Sequence, residues 1–304
     1  MLTIFLAIAP VFILILMGYG LRRGGIPSTE FWNLNDRLVY WVLMPALFFA
    51  KISAADLSGG LGEYAALLYV GFFAAILCGW ILARGFPAPQ GSSLVQGSAR
   101  FNTFVGLAIA EALLGAPGLQ VAVLGSALLV PVVNVTVVTL MSWQLGQGGK
   151  SILAGLVKNP LILSICAGAL FNMAGWGEVP VLHEIARILG NAALPIMLLC
   201  VGANLQLRGL GGSRRIIGYS LLGKFVVNPA AVGLAAFLLA PDPLAFQVAL
   251  ILAALPTGVA AYTLSREMRG DSALMAAIIT TQTLVSFVTL PLTLMLARAF
   301  LPVV

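Results

Sequence analysis

The sequence predicts an all-α polytopic membrane protein of ten transmembrane helices, arranged as two inverted five-helix repeats whose fourth and ninth helices are broken. Three observations support this. Of the 304 residues 61% are hydrophobic and only 9% are charged, against roughly 25% charged in ordinary globular domains, so a water-facing surface cannot be built. The apolar residues gather into ten runs, and a span needs about 20 such residues. A shift of 150 residues brings Pro10 onto Pro160, Gly18 onto Gly168, Pro45 onto Pro195, and 138–140 onto 288–290.

The first run, 2–21, ends at Arg22 and Arg23. With no basic segment before it, no cleavage site after it, and a length beyond that of a signal h-region, it reads as a retained span. The second, 38–52, follows Arg37 and contains Pro45; the third, 64–82, ends at Arg84. The fourth, 98–114, and fifth, 121–143, are divided by Gly115, Pro117 and Gly118. The Gly-rich stretch 144–150 then reads as a linker. It separates a first repeat at 1–143 from a second at 159–304, with 144–158 as a cytoplasmic connection. The sixth run, 160–173, opens on Pro160, and the seventh, 185–205, contains Pro195. The eighth, 216–239, ninth, 246–264, and tenth, 273–301, are bounded by Arg214 and Arg215, by Pro241 to Pro243, and by Arg266 to Asp271.

Charge sets the expected topology. Twelve of the 16 Lys and Arg fall on alternate loops; the other side holds only Lys51, Arg187 and Arg298, and Lys224 lies inside the eighth run. The rich side belongs in the cytoplasm, which places both termini outside a cell (inner or plasma) membrane. The basic residues form no stripe and no aromatic platform accompanies them, so no nucleic acid is expected as partner; the lipid bilayer is. Cys78, Cys166 and Cys200 lie in apolar runs without a CxxC pair and read as buried small hydrophobes. Five spans per repeat make the two copies enter from opposite sides, an arrangement of secondary transporters.

The fourth and ninth runs carry the chemistry. Their least helix-like and most polar residues fall near mid-run: Asn102 and Thr103 in one, Pro256, Thr257 and Gly258 in the other. Pro256 has no N–H and crowds the carbonyl of Leu252, while Gly258 tolerates non-helical dihedrals. A break at membrane depth must face protein or water. Half-helix N-termini there would turn free N–H groups and partial positive charge toward a carboxylate. These five residues are the expected substrate contacts.

The segment Phe101-Asn102-Thr103-Phe104-Val105-Gly106 with Glu111 to Gly115 resembles the fourth-helix motif of the auxin efflux carrier family, which includes the plant PIN-type carriers. Leu255 to Val259 through Ser265-Arg266-Glu267 resembles its ninth-helix motif, and Leu43 to Leu47 its second-helix motif. The likeness runs along the whole chain, without the long central loop of the larger plant members. It implies crossed fourth and ninth helices and elevator-like, alternating-access transport of a small organic anion. It also implies a scaffold of spans one, two, six and seven, with homodimer contact. Asn102 then contacts substrate, and Pro45 and Pro195 shape the facing wall. The chain departs from the family at Phe101, where the fourth-helix proline belongs, at Pro131 in place of a fifth-helix glutamine, and at Phe48 in place of a second-helix serine. Asn134 on the fifth helix and Gln282 on the tenth are the nearest polar substitutes.

Other ionisable groups read more plainly. Lys224 is expected to snorkel to the cytoplasmic interface, with substrate contact as the alternative. Arg100 reads as an interface anchor, with attraction of anions as the alternative, and Glu111 as an interfacial carboxylate, with a proton site as the alternative. His183, the single histidine, stands with Glu184 in an imperfect HExxH whose last position is Arg187, so no metal or other cofactor is expected. An intramembrane enzyme would need a Ser/His pair, paired aspartates or metal ligands at membrane depth, and a cation/proton exchanger would need midplane carboxylates. The run centres contain neither.

Overall fold

The computed structural model describes residues 2–55, 60–146, 159–176, 179–206 and 213–300. Most of the expected linker, from 147 to 158, lies outside the described residues, as do Met1 and 301–304. Among the described residues every regular element is helical. They are α1 (Leu2–Arg23), α2 (Thr29–Leu38), a π-helical turn (Val39–Leu43), α3 (Met44–Ser53), α4 (Leu61–Ala83), α5 (Ala88–Ala99) and α6 (Thr103–Gln144). After the undescribed stretch come α7 (Pro160–Met173), α8 (Pro180–Ala203), α9 (Arg214–Leu222), a second π-helical turn (Gly223–Val227), α10 (Asn228–Leu239), α11 (Pro243–Ala253), α12 (Ala260–Glu267) and α13 (Ser272–Phe300).

Among the described residues six helical stretches are long and apolar enough to cross a membrane: Thr3–Arg23, Leu61–Ala83, Ala88–Gln144, Pro180–Ala203, Arg214–Leu239 and Ser272–Ala297. Large apolar side chains point out of the bundle along them, among them Leu6 and Ile13 on α1 and Phe237 and Leu238 on α10. In water so broad an apolar surface would drive association; hydrocarbon is the solvent it suits. The chain is a multi-pass membrane protein.

Element boundaries depart from the apolar runs where polar residues are buried. The second helix starts at Thr29, not near Leu38, capped by the Ser28 hydroxyl accepting from the Phe31 N–H at 3.1 Å. The fourth starts at Ala88, ten residues before the apolar run, because Ser92, Ser93, Gln96 and Ser98 are all buried against other helices rather than exposed. His183 lies in α8, buried, with Nε2 3.0 Å from the Ser53 hydroxyl oxygen. Its Nδ1 lies 2.9 Å from the Val179 nitrogen and 3.1 Å from the Val179 carbonyl oxygen, so the tautomer sets which ring nitrogen donates. The cysteine expectation holds only for Cys200: Cys78 is half-buried and Cys166 exposed, because an apolar helix face can look outward into lipid.

Helix packing falls into two groups. One consists of α1, α3, α7 and α8, with α1 on α8 and α3 on both α7 and α8. At the first contact a Cβ added to Gly202 would collide with the Ile15 carbonyl, and one on Gly18 with the Leu199 carbonyl. Glycine therefore lets the two backbones touch, as small residues do between membrane helices. The other group joins α4 with α5 and α10, α5 with α9, and α11 with α6. It holds both breaks.

Candidate functional site

The two breaks meet. After α5, Arg100 is extended (φ −64°, ψ 152°) and Asn102 is non-helical (φ −89°, ψ 93°). After α11 the chain leaves the helix at Ala254 and re-enters it at Ala260. The Asn102 N–H donates to the Pro256 carbonyl at 2.7 Å, joining residues 154 positions apart. Gly258 makes the approach possible: a Cβ there would stand 3.0 Å from the Phe101 carbonyl oxygen and 3.3 Å from the Asn102 Cα.

Helix α5 ends inside protein, so its last carbonyls need donors. Thr257 and Gln282, both fully buried, supply them. The Thr257 hydroxyl donates to the carbonyls of Gly97 at 3.1 Å and Arg100 at 3.2 Å, and its N–H donates to Gln282 Oε1 at 2.8 Å. Gln282 Nε2 donates to the Gly97 carbonyl at 2.7 Å. Both residues are thus committed to holding the breaks together, and the Thr257 proton is not free for a ligand.

Asn102 is different. It caps α6, its Oδ1 accepting from the N–H groups of Phe104 at 3.1 Å and Val105 at 3.3 Å. That fixes the amide orientation and leaves Nδ2 buried with no partner. Thr103 follows at the first position of α6, half-buried. Beside them Arg100 sends Nη2 to the Asn134 Oδ1 at 3.0 Å, while its Nη1 is buried and unpartnered. Arg100 is therefore not the interface anchor that its place at the edge of an apolar run suggested: the fourth helix begins so much earlier that Arg100 falls at the break. Pro45 is half-buried near the start of α3, just after the π-helical turn in which the Met44 N–H donates to the Val39 carbonyl. That wider turn accommodates the N–H which proline lacks.

Lys224 also overturns its expectation. Instead of snorkelling it is fully buried in the second π-helical turn, and Nζ has no partner. It lines a narrow cavity with Ala99, Phe101, Leu68, Phe72 and Asn228. Its neighbour Gly223 packs directly on Ser98 of α5, which turns the lysine into the helix interface and away from water. Sequence signals for both cations existed in their apolar surroundings, but only packing distinguishes a buried head group from a snorkelling one. Glu111 is exposed, as an interfacial carboxylate should be. Among the described residues no cluster of His, Cys, Asp and Glu could hold a metal ion.

A family model described as "Membrane transport protein" matches residues 3–294. A Methanothermobacter thermautotrophicus protein described as "Uncharacterized transporter" is 26% identical over 294 residues, covering 93% of this chain and 94% of the relative. A Rhizobium meliloti protein described as "Putative malonate transporter" is 28% identical over 283 residues, covering 86% of this chain and 85% of the relative.

Proposed function

The chain belongs to the membrane transport protein family, that of the auxin efflux carriers its motifs resemble, and on that premise we propose that it carries a small organic anion by elevator-like alternating access. The observation behind this reading is the buried, unpaired Asn102 amide where the two breaks meet, beside the unpaired Nη1 of Arg100. A buried donor without a partner costs about 1–3 kcal/mol. Such donors are tolerated where a ligand supplies the acceptor. A carboxylate seated there takes both donors, with Thr103 and the first turn of α6 alongside. Pro256 and Gly258 keep the ninth helix open, and Thr257 and Gln282 hold it in register with α5. Asn134 orients Arg100, and Pro45 shapes the opposing wall. The relative described as a malonate transporter agrees with an anionic substrate.

The architecture that goes with this reading has ten spans in two inverted repeats with both termini outside. The 57-residue stretch Ala88–Gln144 would extend about 85 Å as one helix, nearly three times the hydrocarbon thickness. It is interrupted at Arg100 to Asn102 and again at Gly115 (φ 67°, ψ −157°), which makes it two spans. In the same reading α2 with α3, α9 with α10, and α11 with α12 each form one span. The packing group of α1, α3, α7 and α8 is the fixed scaffold and homodimer surface; the group bearing the breaks moves. Carboxylate-based cation exchange is the weaker reading, because the ionisable groups at the breaks are cations.

The test is a thermal-shift screen of small carboxylates with the purified protein, with and without Na⁺, followed by uptake into proteoliposomes. Binding and uptake of an organic anion, lost in Pro256→Ala, is the expected result. Wild-type uptake by Pro256→Ala, or protection by cations alone, would refute the reading.

A further inference from the structure

Lys224 has a cavity of its own. Its Nζ is fully buried and unpartnered, and the walls around it come from α4, α5, α6, α10, α11 and Phe101. Of the lining residues only Lys224 and Asn228 are polar, and neither Arg100 nor Asn102 is among them, so the lysine answers to a different space from the donors at the breaks. The helices that form the walls bring no counter-charge. Glu63 on α4, Glu111 on α6 and Asp242 before α11 are exposed, and among the described residues no Asp or Glu belongs to the buried polar set. The phenols of α4 are committed elsewhere, Tyr64 donating to the Val121 carbonyl at 3.0 Å and Tyr69 to the Leu128 carbonyl at 3.3 Å. The Ser98 hydroxyl, beside Gly223, donates to the Leu94 carbonyl at 2.9 Å. An ammonium enclosed by carbon, with no acid to answer it, carries a heavy desolvation penalty unless an anion joins it.

We infer that this cavity is a binding site for one monatomic anion, chloride, held by the Lys224 ammonium with the Asn228 amide beside it. Size separates this ion from the cargo. The cavity volume is about 10 Å³, the lower bound of the roughly 10–15 Å³ that a single water molecule needs, so an occupant of one heavy atom suits it and a carboxylate, with three, does not. A sulfate is excluded twice, by its five heavy atoms and by the larger desolvation cost of its double charge. The walls belong to the packing group that bears the breaks, and one of them is Phe101, next to Asn102. The ion is therefore a brace inside that group, and its presence does not depend on the organic-anion reading above.

The experiment melts the detergent-purified protein in sodium gluconate at neutral pH, with chloride or sulfate replacing gluconate at constant ionic strength. Chloride should raise the melting temperature saturably, by about 2–4 °C at ten times the half-saturating concentration, and sulfate should not. Lys224→Met, close in volume and uncharged, should lose the chloride response, with Lys224→Gln as the second variant should the first fail to fold. Equal melting of the wild type in chloride and gluconate, equal protection by sulfate, or a chloride response that persists in the variants would overturn the assignment. If neither variant folds, wild-type crystals grown in bromide decide the matter: an anomalous peak beside Lys224 Nζ supports the site, and its absence there overturns it.

Discussion

Asn102→Asp replaces one NH₂ group by oxygen and separates two roles of this side chain. The cap survives, because an Asp oxygen accepts from the Phe104 and Val105 N–H groups as Asn102 Oδ1 does. Asn and Asp are about equally good at that position, so folding stability should stay within about 1 kcal/mol of wild type. The free donor, however, becomes an acceptor bearing charge. Losing a hydrogen bond to a charged ligand costs about 1.5–3 kcal/mol. A like charge placed about 4 Å from the ligand carboxylate adds up to about 4 kcal/mol at an effective dielectric constant near 20. The adjacent Arg100 offsets part of that repulsion, leaving a loss of about a hundredfold or more, at 1.4 kcal/mol per tenfold. Asn102→Ala makes the opposite trade. It loses the cap, for about 0.5–2 kcal/mol of stability, and the donor, but adds no repulsion, so its binding loss should be smaller. The assay is thermal unfolding without ligand and calorimetric affinity with the anion found in the screen. If Asn102→Asp binds and transports like wild type while Asn102→Ala does not, Asn102 is only a cap and the substrate site lies elsewhere.

Three further outcomes are expected. Thr257→Val deprives the Gly97 and Arg100 carbonyls of a donor and should lower stability by about 1–3 kcal/mol, read as a depressed melting temperature; an unchanged value would mean that Gln282 alone holds the breaks. Gly258→Ala sets a methyl group 3.0 Å from the Phe101 carbonyl, so the breaks must separate by a few tenths of an ångström, costing about 1–3 kcal/mol and slowing uptake; full activity would show that the close approach is dispensable. For topology, single cysteines at Gly85 and Gly62, both with open space around them, should react with impermeant maleimide from the cytoplasm and from outside respectively, and the reverse pattern would invert the assignment of the termini.

Composition alone was enough to establish a helical membrane protein, because 9% charged residues cannot coat a soluble domain. Apolar runs located most helices well where both ends meet polar punctuation: the run 160–173 coincides with α7. Asn102, Pro256 and Gly258 were legible too, since helix breakers inside an apolar run conflict with local propensity. Helix α5 was not legible as a buried helix. Its serines and glutamine look like a surface or loop until partners such as the Ser265 hydroxyl, which accepts from Gln96 Nε2 at 2.9 Å, are brought to them by folding. The pairing of Asn102 with Pro256 across 154 residues was likewise invisible to any local pattern. Lys224 and Arg100 mark the boundary most sharply. Each is a long side chain with a charged end, and where that end rests depends on what packs over the stem. Water at an interface and an enclosed cavity differ by several kcal/mol of solvation for the same residue, and only the neighbouring helices decide which environment it meets.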